Sequence, residues 1–298
     1  MKVAVTGASG LIGPALVGHL RSAGHEVVRV VRRPSGAPDE ITWDPTAGTV
    51  DLDGLNGVDA VVNLAGAPVG DRRWTEDFKR VILKSRVDST RTIATAMTRL
   101  DPKPRVLVSA SAIGYYGETG ERVVDESDPP GSGYFPDVVR AWEAAADPAR
   151  EHGIRVVHTR SGIVVSKHGG AWGRMFPMFK YGIGGKLGSG RQYWTWISMR
   201  DEVCAMQFVL EQEHVHGGVN LTSPNSTTNA DIARVMGKVL GRPSFMPAPA
   251  FAIKAVLGDF SSEVLGSIRV APTVLTEAGF AFQDPTMESA IRAALAGD

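Results

Sequence analysis

Apolar and polar positions alternate in blocks through the first half of the chain. Lys2–Thr6 (KVAVT) reads as a short buried strand, residues 11–23 have helical spacing that stops at Gly24, and Glu26–Val31 (EVVRVV) is β-branched and strand-like. Residues 59–64 (DAVVNL) and 105–109 (RVLVS) predict two further buried strands. Residues 75–100 predict a helix with Thr75 as N-cap and Glu76 and Asp77 in its first turn. A helix over 137–150 and a strand over 155–159 continue the rhythm. Strands alternating with helices predict an α/β fold, a parallel sheet covered on both faces. After about Gly162 the rhythm changes. Glycines crowd residues 169–190, helices are predicted over 201–212 and Asn229–Leu240, and the remainder is punctuated by prolines. The expected organisation is a first domain over 1–165 and a smaller lobe over 166–298, some of whose strands can return to the first.

Composition narrows the function. The 298 residues are 43% hydrophobic and 21% charged, ordinary values for a folded globular chain. The 32 basic and 32 acidic residues cancel, which argues against a nucleic-acid binder or a polybasic membrane-surface protein. A lone Cys204 excludes an internal disulfide and a multi-cysteine metal site, and His214-x-His216 is too weak a pattern for a metal, so none is expected. The uncharged run over 3–20 is broken by four glycines, Pro14, Thr6, Ser9 and His19, a poor membrane span. The reading is a cytoplasmic protein with a small-molecule substrate.

Thr6-Gly7-Ala8-Ser9-Gly10-Leu11-Ile12-Gly13 places glycines at i, i+3 and i+6 between a strand and a helix. Gly7 permits the tight turn, Gly10 lets the backbone approach a pyrophosphate, and Gly13 lets helix and sheet pack closely, with helix N–H groups facing the phosphates. After the second strand, where NAD binders usually carry an acid for the ribose 2′-hydroxyl, stand Arg32 and Arg33. Guanidinium groups suit a 2′-phosphate, so the expected cofactor is NADP(H); the alternative is two solvated surface charges. Arg86 falls on a largely apolar helical stripe with Phe78, Ile82, Ser89, Ile93, Met97 and Leu100. A charge there needs an anion, either a cofactor or substrate group or a structural carboxylate.

The glycine turn, Asn63-Leu64-Ala65-Gly66, and Ser109-Ala110-Ser111 before Gly114-Tyr115-Tyr116-Gly117 together resemble the extended short-chain dehydrogenase/reductase superfamily, in its NAD(P)-dependent epimerase/dehydratase branch. Arg72-Arg73-Trp74, Lys84-Ser85-Arg86, Ala141-Trp142-Glu143, the 188–192 loop (GSGRQ), Trp196-Ile197 and the 279–282 tail (GFAF) are similar to one atypical subgroup. Its members are usually labelled nucleoside-diphosphate-sugar epimerases and have a C-terminal domain of unknown function. The resemblance spans essentially the whole chain. It implies a Rossmann-like, doubly wound parallel sheet carrying NADP(H), with a small C-terminal substrate lobe. It puts Gly7, Ser9, Gly10, Leu11 and Ile12 at the pyrophosphate, Arg32 at the 2′-phosphate and Leu64 and Ala65 by the adenine-side ribose. It also implies that Arg86 reaches the cofactor.

Two departures limit what carries over. The superfamily uses a Tyr-x-x-x-Lys pair, the tyrosine lying eight residues before a helix glutamate. Counting back from Glu143 gives Phe135 and Val139, and a one-residue shift gives Tyr134 and Val138, still without a lysine. The serine position is retained as Ser111. Where sugar-nucleotide epimerases often hold a diphosphate with arginine, this chain has Trp194, with Arg191 three residues earlier. Trp194 and Trp196 suit a flat or apolar ligand, or else pack between lobes. Two readings follow. One is an NADP(H)-dependent epimerase-like oxidoreductase whose proton is handled by Ser111, Tyr115 or Tyr116 and whose substrate meets Arg191 and Trp194. The other is a non-catalytic NADP(H) sensor.

Overall fold

The structure, a computed structural model, describes residues 1–297. Eight strands share one sheet: β1 (Lys2–Thr6), β2 (Glu26–Val31), β3 (Glu40–Asp44), β4 (Thr49–Val50), β5 (Ala60–Asn63), β6 (Val106–Ala112), β7 (Arg155–Ser161) and β8 (Gly217–Leu221). Their spatial order is β8-β7-β6-β5-β1-β2-β3-β4, and only the β3–β4 pair is antiparallel. The chain leaves β1 on one side toward β4, then crosses to β5 on the other. That reversal opens a crevice at the carboxyl ends of β1 and β5, the position at which such sheets bind ligands.

The strands' period of two sorts the core into faces. Val3, Val5, Val62, Val108, Val157 and Val219 pack against α1 (Gly13–Ser22) and a later helix, here α5 (Met199–Glu211). Ala4, Val28, Val61, Leu107 and Val156 face α2 (Glu76–Met97) and the short helix Asp147–Glu151. Burying each such aliphatic side chain is worth about 1.5–3 kcal/mol, so the two-sided burial fixes the register of the central strands. Thr75 caps α2, its Oγ1 accepting from Phe78 N–H at 3.2 Å. The helix predicted over 137–150 is two helices, α3 (Tyr134–Ala144) and Asp147–Glu151. Pro136 falls in the first turn of α3, whereas Pro148 lacks an N–H and crowds the carbonyl of residue 144, where α3 stops and a new helix begins at Asp147.

The smaller lobe wraps α4 (Gly170–Lys180), α6 (Asn229–Leu240) and α8 (Met287–Ala296) around Trp172, Phe176, Phe179, Trp196 and Met236. Between α6 and α8 lies α7 (Ala250–Leu257). The lobe is not contiguous in sequence: β8 and α5, both beyond residue 166, belong to the main sheet and its cover. No helix among the described residues is long and apolar enough to cross a membrane.

Candidate functional site

The glycine turn closes over the end of β5. Gly7 has φ +65°, and a Cβ there would stand 2.7 Å from the Leu64 carbonyl carbon; one on Gly13 would stand 2.5 Å from Gly7 O. Neither position admits a side chain. Gly10 N–H donates to Gly7 O at 2.9 Å, which leaves Ser9, Gly10 and Leu11 exposed at the lip. α1 begins at Gly13 with no side-chain cap from Ile12, so its first N–H groups face the crevice without a partner side chain.

The two arginines after β2 part company. Arg33 forks onto Glu40, at 2.8 and 2.5 Å, and holds that carboxyl below its ordinary range. Arg32 is exposed and has no hydrogen bond or ion pair among the described residues, so it is the one free to meet a ligand. Asn63, in the motif that resembles the family's cofactor loop, has its side chain bound within the fold. It is fully buried, accepting from Thr6 Oγ1 at 2.6 Å and donating to Thr90 Oγ1 at 2.9 Å, and Trp142 Nε1 donates to the same hydroxyl at 3.0 Å. It ties β1, β5, α2 and α3 together. Leu64 and Ala65 are half-buried and Gly66 is exposed along the crevice.

Arg86 is 9% exposed and has no carboxylate partner among the described residues, which removes the structural salt bridge as its explanation. Nη1 donates to Ala67 O at 3.0 Å and Ile82 O at 3.1 Å, the guanidinium lies 5.0 Å above the Trp142 ring, and Nε has no partner. Burial pushes its pKa down to about 10. The side chain also packs against Gly66 on the crevice wall: a Cβ on Gly66 would lie 3.3 Å from Arg86 Cγ.

The expected catalytic side chains meet in one buried network. Ser111 Oγ donates to Glu143 Oε1 at 2.6 Å, and Arg160 forks onto the same carboxylate at 2.9 and 2.9 Å. Burial alone would raise Glu143, yet the Arg160 fork holds the carboxyl below its ordinary value. Arg160 also donates to Tyr116 Oη at 3.1 Å, and Tyr116 O–H donates to Asn220 Oδ1 at 2.9 Å. Tyr116 is 4% exposed, its hydroxyl is held by Arg160 and Asn220, and burial pushes its phenol up to about 12. Tyr115 is half-buried, stacked under the Arg160 guanidinium at 3.4 Å, and its hydroxyl has no partner among the described residues.

Neither register of the missing pair is rescued. Phe135 packs on Gly114 so tightly that a Cβ on the glycine would be 2.2 Å from the ring, and Val139 is fully buried. Tyr134 O–H donates to Lys79 O at 2.9 Å and its ring meets the Trp74 edge at 5.1 Å. Trp194 is 5% exposed in the small-lobe core, with Nε1 donating to Val264 O at 3.0 Å; it is a packing residue there and offers no ring face to a ligand. Arg191 is exposed.

A cavity of about 670 Å³ lies between the lobes, with Trp74, Tyr134, Phe135, Glu118, Lys254 and Glu263 among its walls. Burial, with the nearby Glu118 carboxylate, pushes Glu263 up to about 7. Glu118 and Glu263 escaped the sequence reading because they lie far apart in the chain and no spacing motif joins them. Arg160 escaped because nothing in the residues around it marks a buried ion pair.

Comparison with known proteins agrees with this architecture. The NAD dependent epimerase/dehydratase family model matches residues 3–221, and a domain of unknown function (DUF1731) matches residues 248–294. The epimerase family protein Mb2239 of Mycobacterium bovis is 43% identical over 290 residues, 97% of this chain and 96% of the relative. The cattle epimerase family protein SDR39U1 is 38% identical, covering 99% of this chain and all of the relative. A crystal structure of human SDR39U1 with NADPH superimposes over 100% of both chains with a TM-score of 0.91 at 35% identity. MoeE5 in complex with UDP-glucuronic acid and NAD, at 22% identity and a TM-score of 0.77, shares the fold. The chain therefore belongs to the NAD-dependent epimerase/dehydratase family, in the group that joins an epimerase domain to DUF1731.

Proposed function

We propose that this chain binds NADP(H) in the crevice and is an oxidoreductase of epimerase/dehydratase type acting on a carbonyl or hydroxyl carbon of a small molecule. The observation that carries the reading is the free Arg32 beside an uncapped α1 and a glycine turn with no room for a side chain. The residues fit the cofactor by their chemistry. Gly7, Ser9, Gly10, Leu11, Ile12 and Gly13 would hold the pyrophosphate through backbone N–H groups, and Arg32 would pair with the 2′-phosphate. Arg33 is left to second place by its fork on Glu40. Leu64, Ala65 and Gly66 would line the ribose, and the orphan Nε of Arg86 would gain a polar partner. The SDR39U1 structure with NADPH supports this choice.

When bound, the nicotinamide supplies or accepts a hydride. The chain's own task is then to hold and move one proton. Ser111 and Tyr116 are committed to Glu143 and Asn220, so Tyr115, whose hydroxyl is unbonded, is the first candidate. Glu263 is the second, as a carboxyl that exchanges a proton near neutrality at the cavity wall. Arg191, exposed on the small lobe, is kept as a candidate substrate contact.

The non-catalytic sensor is the second reading, favoured by Phe135 and Val139 at the dyad positions. Fluorescence titration with NADPH and NADH, followed by a carbonyl-substrate panel, tests both. NADPH should bind roughly tenfold to a hundredfold tighter than NADH, and UDP-galactose should not be turned over usefully. Equal affinities would remove the cofactor assignment. Tight NADPH binding with no activity on any substrate would favour the sensor.

A further inference from the structure

Two stretches of the smaller lobe carry cations and no anions. Residues 170–192 hold Arg174, Lys180, Lys186 and Arg191, residues 241–258 hold Arg242 and Lys254, and neither stretch contains an aspartate or glutamate. The chain's overall neutrality hides this local excess. The stretches lie side by side: Gly188 N–H donates to Ala248 O at 2.8 Å, Ala248 N–H to Lys186 O at 3.0 Å, and Met246 N–H to Gly184 O at 3.4 Å. Arg174 turns away to Gly70 O at 2.6 Å. The other five cations form no ion pair with the described residues.

The same face is strongly apolar. Tyr181 and Phe245 are 77% and 76% exposed, and Ile183, Met246, Phe251 and Val256 also stand in water. α7 reads AFAIKAVL, apolar all round except for Lys254, yet only Ile253 is buried. A helix of that composition is ordinarily covered or lies at an interface. None of the six exposed side chains lines the cavity between the lobes. They protrude, which suits insertion into a fluid interface better than capture of a peptide in a groove. A second copy is a poor occupant, because an isologous contact would press these cations against their own equivalents.

We propose that this face docks on an anionic lipid bilayer, the apolar side chains of α7 and of residues 181–183 and 245–246 reaching the acyl boundary and the five free cations meeting headgroup phosphates. Lys254 of α7 also borders the cavity between the lobes, so docking would bring that cavity to headgroup level.

The test is co-sedimentation of the full chain with vesicles of phosphatidylcholine alone and of phosphatidylcholine mixed with phosphatidylglycerol. The protein should pellet with the anionic vesicles, weakly with the neutral ones, and be released by salt. Lys186→Glu with Arg242→Glu should lower partition at least roughly twenty-five-fold, and Phe245→Ser with Phe251→Ser should abolish it, while NADPH affinity and melting temperature stay at wild-type values. Absence of binding, equal binding to both lipids, or binding that ignores both double variants overturns the proposal. So does a lipid-free dimer that is lost in Phe245→Ser with Phe251→Ser, which would assign the face to a second copy. Binding to polyglutamate without binding to anionic vesicles would assign it to an acidic protein.

Discussion

Arg86→Met separates a residue kept for a ligand from one kept for the fold. In the free protein the guanidinium is buried without an anion, and its pKa of about 10 corresponds to a penalty of about 3 kcal/mol on the charged form. That penalty is present throughout the range below pH 10 and is relieved only as pH rises beyond it. Methionine removes it. The substitution also leaves Ala67 O without its donor, at roughly 1 kcal/mol. The stacking on Trp142 is exchanged for a sulfur–aromatic contact of similar size. Relief exceeds loss by about 1–2 kcal/mol, so the free variant should melt roughly 2–4 °C higher than wild type. NADPH should then bind roughly tenfold to a hundredfold more weakly, through the lost charge-assisted bond. Scanning fluorimetry with and without NADPH reads both effects. A free variant that melts earlier and binds NADPH as well as wild type would refute the reasoning and leave Arg86 a packing residue.

Three further outcomes are expected. Arg32→Ala should weaken NADPH binding and spare NADH, while Arg33→Ala should chiefly lower the melting temperature by freeing Glu40; the reverse pattern in paired titrations would mean that the fork opens on binding. Tyr116→Phe should cost about 1–3 kcal/mol of stability in urea unfolding by stripping Asn220 and Arg160 of a partner, whereas Tyr115→Phe should leave stability within about 0.5 kcal/mol and remove carbonyl reduction; intact activity in Tyr115→Phe would move the proton to Glu263. Glu202 is wholly buried, accepts only from Ser161 Oγ at 2.6 Å, and burial pushes it up to about 8. Because the fold holds its proton more tightly than the unfolded chain, its stability is full below about pH 4.5. It falls by about 1.4 kcal/mol per pH unit toward pH 8, and Glu202→Gln should flatten that limb of a melting-temperature series.

The sheet was legible because burial on both faces writes near-continuous apolar runs: β1, β2 and most of β5 to β7 stood out as such. β3 and β4 were not, since EITWD and TV are short edge strands whose partners, not their composition, make them strands. β8 (GGVNL) was hidden by its glycines. At the site, the turn and Arg32 were legible because backbone approach and phosphate charge demand particular residues at particular spacings. Asn63, Trp194 and Tyr116 are ambiguous in sequence for one reason: a polar or aromatic residue near a strand end satisfies a fold as readily as a ligand. Only burial and partner atoms tell the two apart.

The missing lysine bears on the chemistry through charge balance. In the usual pair a cation beside the phenol favours its ionised form. Here Arg160 touches Tyr116 and lies over Tyr115, and Tyr116 still rises to about 12. Burial outweighs the lowering by Arg160, whose guanidinium is also forked onto Glu143, and the nearby Glu126 carboxylate adds to the rise. Lys79, which stands 5.4 Å over the Tyr134 ring, is likewise held by Asp259 at 2.7 Å and Glu76 at 2.9 Å. Arg160 and Lys79 are therefore both matched by carboxylates, while Arg86, which also bears on Tyr134, has no carboxylate partner among the described residues. Among the cavity walls Glu263, pushed up to about 7 by burial and by Glu118, is therefore the candidate to carry the proton if Tyr115 does not.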